Sequence, residues 1–399
     1  MTDETGGHAR IRRFLDEHAP ASPCLVIDLE TVRDRYRALA GSWPEADLLY
    51  AVKANPAPEV VGLLARSGAG FDVASPGEVA LCLAEGARPE SLSYGNTIKK
   101  RADIEYAHSM GVRTFTTDSL QDLENIAAAA PGSSVFCRIL LEDTGALTPF
   151  RGKFGCSPET AVRLLQRAAE LGLRAGGVSF HVGSQQLDPR AWDAGIAEAA
   201  TVTAKLAAAG TVLDALNIGG GLPGRYTQRT PPLRDYVAAI AESIDRHFGP
   251  MGADAGTPRL VLEPGRFIVG DAGLLQTEVV LVADRGPADG RRWVYLDVGR
   301  YNGLAEAEGE AITYRIASPD KDGPPGPVIL AGPTCDGDDI IYQRNVYHLP
   351  TDLGPGDRLH ILNAGAYTAS YSSVGFNGFP PLPTHCIDHR TDTGLRGSV

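Results

Sequence analysis

The chain has 399 residues, 43% of them hydrophobic and 22% charged, with a formal net charge of −12. That length is too great for one ordinary core and comfortable for two. An acidic surface lacks the basic footprint that nucleic-acid phosphates need, and it mildly favours a cationic small molecule.

Met1 to Pro20 is polar, carries both charge signs and has no apolar h-region, and no later stretch is long enough to span a bilayer, so no membrane association is expected. The six cysteines (Cys24, Cys82, Cys137, Cys156, Cys335 and Cys386) form no C-x-x-C pair. Neither a zinc knuckle nor a thioredoxin-type site is expected, and no metal. Their scatter fits a reducing compartment, so a cytoplasmic protein is expected.

A helix over Glu30–Ala40 opens the pattern. Apolar strands then alternate with helical stretches. The strands are Leu48–Val52, Gly70–Ala74, Ser91–Tyr94, Thr114–Thr117, Val135–Ile139, Gly177–His181, Leu213–Ile218 and Leu260–Leu262. The helices are Glu59–Ser67, Pro76–Gly86, Lys99–Gly111, Ser119–Ala129, Pro158–Leu171, Pro189–Ala209 and Leu233–His247. Several begin at Pro or Ser and stop at Gly, as helix ends do. Eight strands interleaved with helices predict an α/β protein with a closed (β/α)8 TIM-type barrel over residues 28–270; an open doubly wound sheet is the alternative. After Gly270 the runs Glu278–Val282, Trp293–Asp297, Val328–Leu330 and Arg358–Leu362, separated by Gly, Pro and Asp turns, predict an all-β domain over 271–399. Residues 1–27, with Ser22–Leu29 as a strand, are expected to contribute to it.

In a barrel the chemistry gathers where the strands end. Those ends carry Lys53, Asp72, Tyr94-Gly95-Asn96, Asp118, Arg138, His181-Val182-Gly183-Ser184, Gly219-Gly220-Gly221 and Glu263-Pro264-Gly265-Arg266. Each has a bland reading: Asp72 and Asp118 would serve as helix caps and His181 as a satisfied core histidine. Lys53, delivered by the apolar run Leu48–Val52 and followed by Asn55-Pro56, would sit at the rim of a dry core, where its amine is readily deprotonated and attacks carbonyls. Gly219-Gly220-Gly221-Leu222-Pro223-Gly224 formally matches G-x-G-x-x-G, but Pro223 and the Arg225–Pro232 segment forbid an immediate helix, and the motif comes late in the chain. Its glycines would still admit a phosphate, with Ser184 and Arg266 as further donors. An amine that captures carbonyls, a phosphate cradle and a buried carboxylate together point to pyridoxal phosphate. Lys53 would hold its aldehyde, Glu263 would keep its pyridine nitrogen protonated, and His181 would stack on the ring. Asp72 is counted with the cofactor-binding groups, and Arg138 and Glu78 are expected to orient them.

These residues carry a family resemblance. Tyr50-Ala-Val-Lys-Ala-Asn55, Phe71-Asp-Val-Ala-Ser75 with Glu78, Lys153-Phe-Gly155, His181-Val-Gly-Ser184, the glycine loop, Glu263-Pro-Gly-Arg266, Gly332-Pro-Thr-Cys-Asp336, Gly365-Ala-Tyr-Thr368 and Phe376-Asn-Gly-Phe379 run through nearly the whole chain. The chain resembles the fold-type III pyridoxal-phosphate-dependent decarboxylases, the ornithine/lysine/diaminopimelate group, whose β domain is alanine-racemase-like. The resemblance implies Lys53 as the Schiff-base lysine, Glu263 as the pyridinium partner and His181 as the stacking residue. It implies Ser184, Gly219, Gly220, Gly221, Arg266 and Tyr367 as phosphate ligands, and Cys335 as the residue that protonates the α-carbon. Asp336 would receive the substrate's distal ammonium, with Glu310 and Phe376 also lining the substrate. A head-to-tail homodimer with shared sites is implied. So is a mobile loop at Glu142–Gly152, with Gly145 and Gly152 as hinges.

Diaminopimelate-type enzymes carry Glu after the cysteine; Asp336 follows the ornithine/lysine pattern. Eukaryotic-type ornithine decarboxylases place a second aspartate beyond the Gly299-Arg300-Tyr301 region, where this chain has Glu306, Glu308 and Glu310. The second ammonium ligand stays open, and at least two of the three are expected in a solvated loop. One methylene discriminates by only about 1–3 kcal/mol, so ornithine and lysine are not separated. The expected reaction is decarboxylation of L-ornithine to putrescine or L-lysine to cadaverine. Diaminopimelate decarboxylation, an amino-acid racemase and a non-enzymatic cofactor carrier or regulatory homologue are the alternatives.

Overall fold

The computed structural model describes residues 6–142, 145–149, 152–249, 258–286 and 290–388. The chain divides into two compact units, one comprising Tyr36–Pro223 and Thr230–Gly265, the other Met1–Arg35, Gly224–Arg229 and Arg266–Val399.

The first unit is a closed barrel of eight parallel strands: β1 (Asp47–Ala51), β2 (Gly70–Val73), β3 (Leu92–Tyr94), β4 (Thr114–Thr117), β5 (Ser134–Arg138), β6 (Arg174–Ser179), β7 (Ala215–Asn217) and β8 (Arg259–Leu262). It closes where Asp47 and Leu48 pair with Val261 and Leu262. Seven helices connect successive strands: α1 (Pro58–Arg66), α2 (Pro76–Ala84), α3 (Arg101–Ser109), α4 (Leu120–Ala129), α5 (Pro158–Glu170), α6 (Trp192–Ala208) and α7 (Leu233–Phe248). In α5 the apolar stripe is Ala161, Leu164, Leu165 and Ala168, all buried, at the i, i+3, i+4, i+7 spacing of one helix face. Ser75, Ser119 and Ser157 cap α2, α4 and α5 by accepting the N–H three residues on. Each such cap contributes about 1 kcal/mol.

The barrel expected from the sequence is therefore present, with shifted ends. β7 is only three residues long where six are expected: it loses Leu213 and Asp214 at its start and Ile218 at its end, although Asp214 N–H still donates to Gly176 O and Ile218 N–H to Val261 O, both at 3.0 Å. Its ladder nevertheless continues through Phe180 N–H to Asn217 O at 3.0 Å. The helix expected from Pro189 starts as a single 3-10 turn, Pro189–Ala191, and becomes α-helical at Trp192.

The second unit holds a mixed sheet with strand order Arg315–Ala317, Arg358–Leu362, Gly273–Ala283, Arg292–Leu296, Pro325–Ala331, Ile340–Pro350. Cys24–Asp28 joins it, antiparallel to Gly273–Gln276 and parallel to Thr384–Ile387. Its core includes Ile11, Phe14, Leu15, Cys24, Val26, Leu274, Leu362 and Ile387. The helix Gly6–His18 that supplies the first three is not foreseen in the sequence reading. Its stripe is three apolar residues inside a charged segment. Among the described residues no helix is long and apolar enough to cross a membrane.

Candidate active site

Lys53 lies on a 3-10 turn, Val52–Ala54, directly after β1. The turn is fixed by Tyr50, whose buried hydroxyl donates to Asn55 O at 2.9 Å, and by Ala51 N–H donating to Pro264 O at 3.1 Å. Gly265 is required beside it, since a Cβ there would meet Ala54 Cβ at 2.9 Å. The Lys53 side chain is 48% exposed, and its Nζ lies 3.2 Å from the buried Asp72 Oδ2. The amine is thus paired with a buried carboxyl, on a side chain that is half exposed. Asp72, at the end of β2, packs so close to Gly95 that a Cβ on Gly95 would sit 2.0 Å from Asp72 Oδ1.

Glu263 follows β8, its carboxyl largely enclosed by the barrel. Burial, and next the Asp72 charge, raise it to about 7, against the opposing pull of Lys53, Asn217 and Arg138. Asn217 Nδ2 donates to Glu263 Oε1 at 2.6 Å, and Asn217 Oδ1 accepts Gly219 N–H at 2.9 Å. Burial holds the Arg138 guanidinium below its usual value, while Glu263, Asp72 and Asp118 oppose that shift. The Phe154 ring covers Arg138 at 5.0 Å. His181 falls well below the usual histidine range through burial, then the charges of Arg138 and Lys53, so its imidazole is neutral. Its Nδ1 accepts Gly183 N–H at 2.9 Å, which fixes the tautomer with the proton on Nε2.

The glycine loop has a tight backbone. Gly219 and Gly221 have φ of +67° and +110°. A Cβ on Gly219 would meet Phe180 O at 2.3 Å, and one on Gly220 would meet Glu263 O at 2.7 Å. Gly221 O accepts Gln186 N–H at 3.0 Å, and the buried Trp192 donates to Ile218 O at 3.2 Å, bracing the loop. Ser184 forms a two-way backbone bridge with Thr148, at 3.1 and 3.3 Å. That contact involves the described part of Glu142–Gly152. Residues 143–144 and 150–151 of the segment lie outside the described residues. Gly145 and Gly152 both have positive φ.

The cap reading of Asp118 changes. Ser119, not Asp118, caps α4; Asp118 Oδ2 instead accepts Gly155 N–H at 2.8 Å. Glu78 Oε2 accepts Ala74 N–H, from the residue before the α2 cap, at 2.6 Å, while the Ser75 cap accepts the Glu78 N–H.

In the β unit, Arg266 is 4% exposed. It makes a bidentate pair with Glu306 at 2.6 and 2.5 Å and donates to Tyr226 Oη at 2.6 Å. The Tyr367 ring lies 4.8 Å from its Cζ. The glutamate run thus splits three ways. Glu306 is buried on Arg266, only Glu308 is an exposed side chain, and Glu310 accepts the N–H groups of Gln343, Arg344 and Asn345. The solvated loop expected for at least two of them holds for Glu308 alone. A substrate ammonium at Glu310 would have to compete with those three donors.

Cys335 and Asp336 are exposed on the turn between Pro325–Ala331 and Ile340–Pro350. Asp336 Oδ1 accepts Tyr301 Oη–H at 3.1 Å and Asp338 N–H at 2.8 Å. Cys335 N–H and Sγ both approach Asn377 Oδ1, at 3.3 and 3.5 Å, and Phe376 packs on Tyr301 at 4.7 Å. The buried Asp339 organises the turn, accepting Arg300 N–H, Thr334 N–H and the Thr334 hydroxyl. Gly299 and Gly332 are required for this, since a Cβ on either would fall within 2.4 Å of an Asp339 oxygen. Asn217, Tyr226 and Asp339 are missed by sequence reasoning, and Phe154 and Asn377 stand in motifs it quotes without being given a role. Asn217 was within reach, two residues before the glycine loop.

An amine on a half-exposed lysine, an enclosed carboxyl poised to share a proton and a glycine backbone too tight for side chains fit pyridoxal phosphate. They define a barrel enzyme of carbonyl capture. The chain belongs to the pyridoxal-dependent decarboxylases: residues 29–270 match the family described as pyridoxal-dependent decarboxylase, pyridoxal binding domain. Pyridoxal phosphate is its cofactor, and it is a carboxy-lyase. It is 33% identical to the lysine/ornithine decarboxylase of Selenomonas ruminantium over 375 residues, 94% of this chain and 92% of that one. It is also 33% identical to antizyme inhibitor 2 of Xenopus laevis, over 90% of this chain and 80% of that protein. The structure of lysine/ornithine decarboxylase from Vibrio vulnificus complexed with cadaverine superposes with a TM-score of 0.84 at 32% identity, covering 96% of this chain and 98% of that one.

Proposed function

We propose that the enzyme decarboxylates L-ornithine or L-lysine, giving putrescine or cadaverine and carbon dioxide. The observation that carries this is the exposed Asp336 carboxylate beside Cys335, oriented by Tyr301 and the Asp338 N–H. A fixed carboxylate gives a terminal ammonium a charge-assisted bond, and its reach selects chain length. The similar proteins named lysine/ornithine decarboxylase support the same substrate class. We assign the distal ammonium to Asp336 rather than Glu310, whose oxygens already serve three backbone donors.

Bound pyridoxal phosphate supplies a carbonyl for the substrate amine and an electron sink for the carboxylate's bonding pair. Lys53 Nζ holds the cofactor, and Asp72 steadies that amine. Glu263 holds a proton at the ring nitrogen, with Asn217 fixing the carboxyl. Neutral His181 offers a flat face without adding charge. The N–H groups of Gly219, Gly220 and Gly221, together with Ser184, Arg266 and Tyr367, bind phosphate, and Arg138 balances Glu263. Cys335 Sγ returns a proton to the α-carbon, and Phe376 walls the substrate.

We further propose residues 28–270 as the cofactor domain and 271–399, with 1–27, as the β domain. Cys335 and Asp336 would serve the barrel of a second copy in a homodimer. Exposed Tyr371, Val374 and Phe376, on the segment whose Asn377 accepts Cys335 N–H, support such an interface. A cytoplasmic location fits six cysteines scattered along the chain without a C-x-x-C pair.

The test is carbon dioxide release from ornithine, lysine, arginine and diaminopimelate. Activity on ornithine or lysine is expected, and activity on diaminopimelate alone would overturn the Asp336 assignment. A fully active monomer at high dilution would overturn the shared site.

A further inference from the structure

Arg266 is 4% exposed and ion-paired, and the way its donors are spent is informative. A guanidinium has five N–H groups in a fixed plane. Nη1 donates to both Glu306 Oε2 and Tyr226 Oη, and Nη2 donates to Glu306 Oε1. Those three bonds use both hydrogens of Nη1 and one of Nη2. The remaining two, on Nε and Nη2, share one edge of the plane. That edge is the fork that matches two oxygens of a phosphate. Nε is buried and has no acceptor among the described residues. A buried donor of this kind calls for an explanation.

We propose that Glu306 and Tyr226 are positioning residues that fix the Arg266 guanidinium so that its Nε–Nη2 edge receives the cofactor phosphate. This rests on the reading of Arg266 as a phosphate ligand. Glu306 takes the end of the plane, and the rings of Tyr226 and Tyr367, 5.7 and 4.8 Å from Cζ, limit its tilt. Tyr226 is itself wedged edge-on against Tyr314 at 5.3 Å. Rotation about the last side-chain bond would otherwise swing the fork away, and a charge alone does not hold a bidentate geometry. Glu306 brings a negative charge toward a dianion, so its contribution is orientation and not attraction. Its buried position on Arg266 also sets it apart from Glu308 and Glu310, in agreement with a role away from the substrate ammonium.

The experiment compares full-length wild type, Glu306→Ala, Glu306→Gln and Tyr226→Phe, each stripped of cofactor. Dissociation constants are measured for pyridoxal phosphate and for pyridoxal, which lacks the phosphate. Loss of an oriented charge-assisted pair should weaken pyridoxal phosphate by about tenfold or more in Glu306→Ala. Glu306→Gln, which keeps one acceptor oxygen, should fall between it and wild type. Tyr226→Phe should weaken it by about threefold, the loss of one neutral acceptor. Pyridoxal affinity should stay within about twofold in every variant, since orienting the fork serves only the phosphate. Unchanged or tighter phosphate-ester binding would overturn the proposal, and tighter binding would make Glu306 a competitor for the guanidinium. Equal weakening of both ligands would also overturn it, by showing a general structural defect. If Glu306→Ala does not fold, Glu306→Gln and Tyr226→Phe carry the same comparison. Wild type that binds no pyridoxal phosphate would overturn the cofactor reading along with this inference, whereas the other contrary results overturn this inference alone.

Discussion

Asn217 joins the Glu263 carboxyl to the glycine loop, its amide nitrogen 2.6 Å from Glu263 Oε1 and its amide oxygen 2.9 Å from Gly219 N. One side chain thus sets both the group expected at the cofactor's ring nitrogen and the backbone expected at its phosphate. Asn217→Ala should weaken pyridoxal phosphate binding by about tenfold, from one lost hydrogen bond to a charged group and one to the loop. Asn217→Asp should do more harm, since it sets a second carboxylate against Glu263 and raises that pKa further. Cofactor titration followed by absorbance checks both.

Glu263 makes the cofactor-free protein sensitive to pH. Its folded value is raised from 4.5 to about 7, chiefly by burial. The folded state therefore holds a proton that the unfolded state has released between those values. Its stabilising contribution is complete below pH 4.5 and is lost as pH rises through 7. Glu263→Gln, without cofactor, should lose less stability than wild type between pH 5 and 8. Denaturant melts of both proteins across that range provide the comparison.

His360 acts in the opposite direction. Burial, then the charges of Arg358 and Arg12, lowers it from 6.5 to about 4, and its Nε2 has no hydrogen-bond partner among the described residues. Its folded value is depressed, so its contribution is present above 6.5 and lost as pH falls toward 4. The loss by pH 4 is roughly 3 kcal/mol. His360→Phe should flatten acid destabilisation over that interval, as read from melting temperatures at pH 7 and pH 4.5.

Asp339 tests whether the Cys335–Asp336 turn acts apart from cofactor binding. Asp339→Asn turns an acceptor of three donors into a group that clashes with at least one of them. The turn should loosen, with kcat falling about tenfold or more through misplacement of the proton donor. Cofactor affinity should be unchanged. Steady-state kinetics and a cofactor titration on the same preparation separate the two effects.

The barrel was legible because its strands are continuous apolar runs and its helices begin at Ser or Pro and end at Gly. The first-named site residues were legible because ionisable groups recur where those runs stop. Strand ends were less so: β7 starts two residues later than expected, and it stops at Asn217 beside the turn into Gly219, which depends on a side chain bonding two residues ahead. The Gly6–His18 helix was hidden because Ile11, Phe14 and Leu15 give only one short stripe. The long strand Ile340–Pro350 was hidden by its exposed polar stretch Gln343-Arg344-Asn345. Partners across large sequence separations left no local signal. Arg266 with Glu306 and Asp118 with Gly155 needed the folded chain to be seen.

The most direct measurement is borohydride reduction of the yellow holoenzyme followed by peptide mass mapping. The account predicts a single pyridoxyl group on the peptide that contains Lys53, and none in Lys53→Ala. A label on another lysine, or wild-type protein that takes up no pyridoxal phosphate, would contradict it.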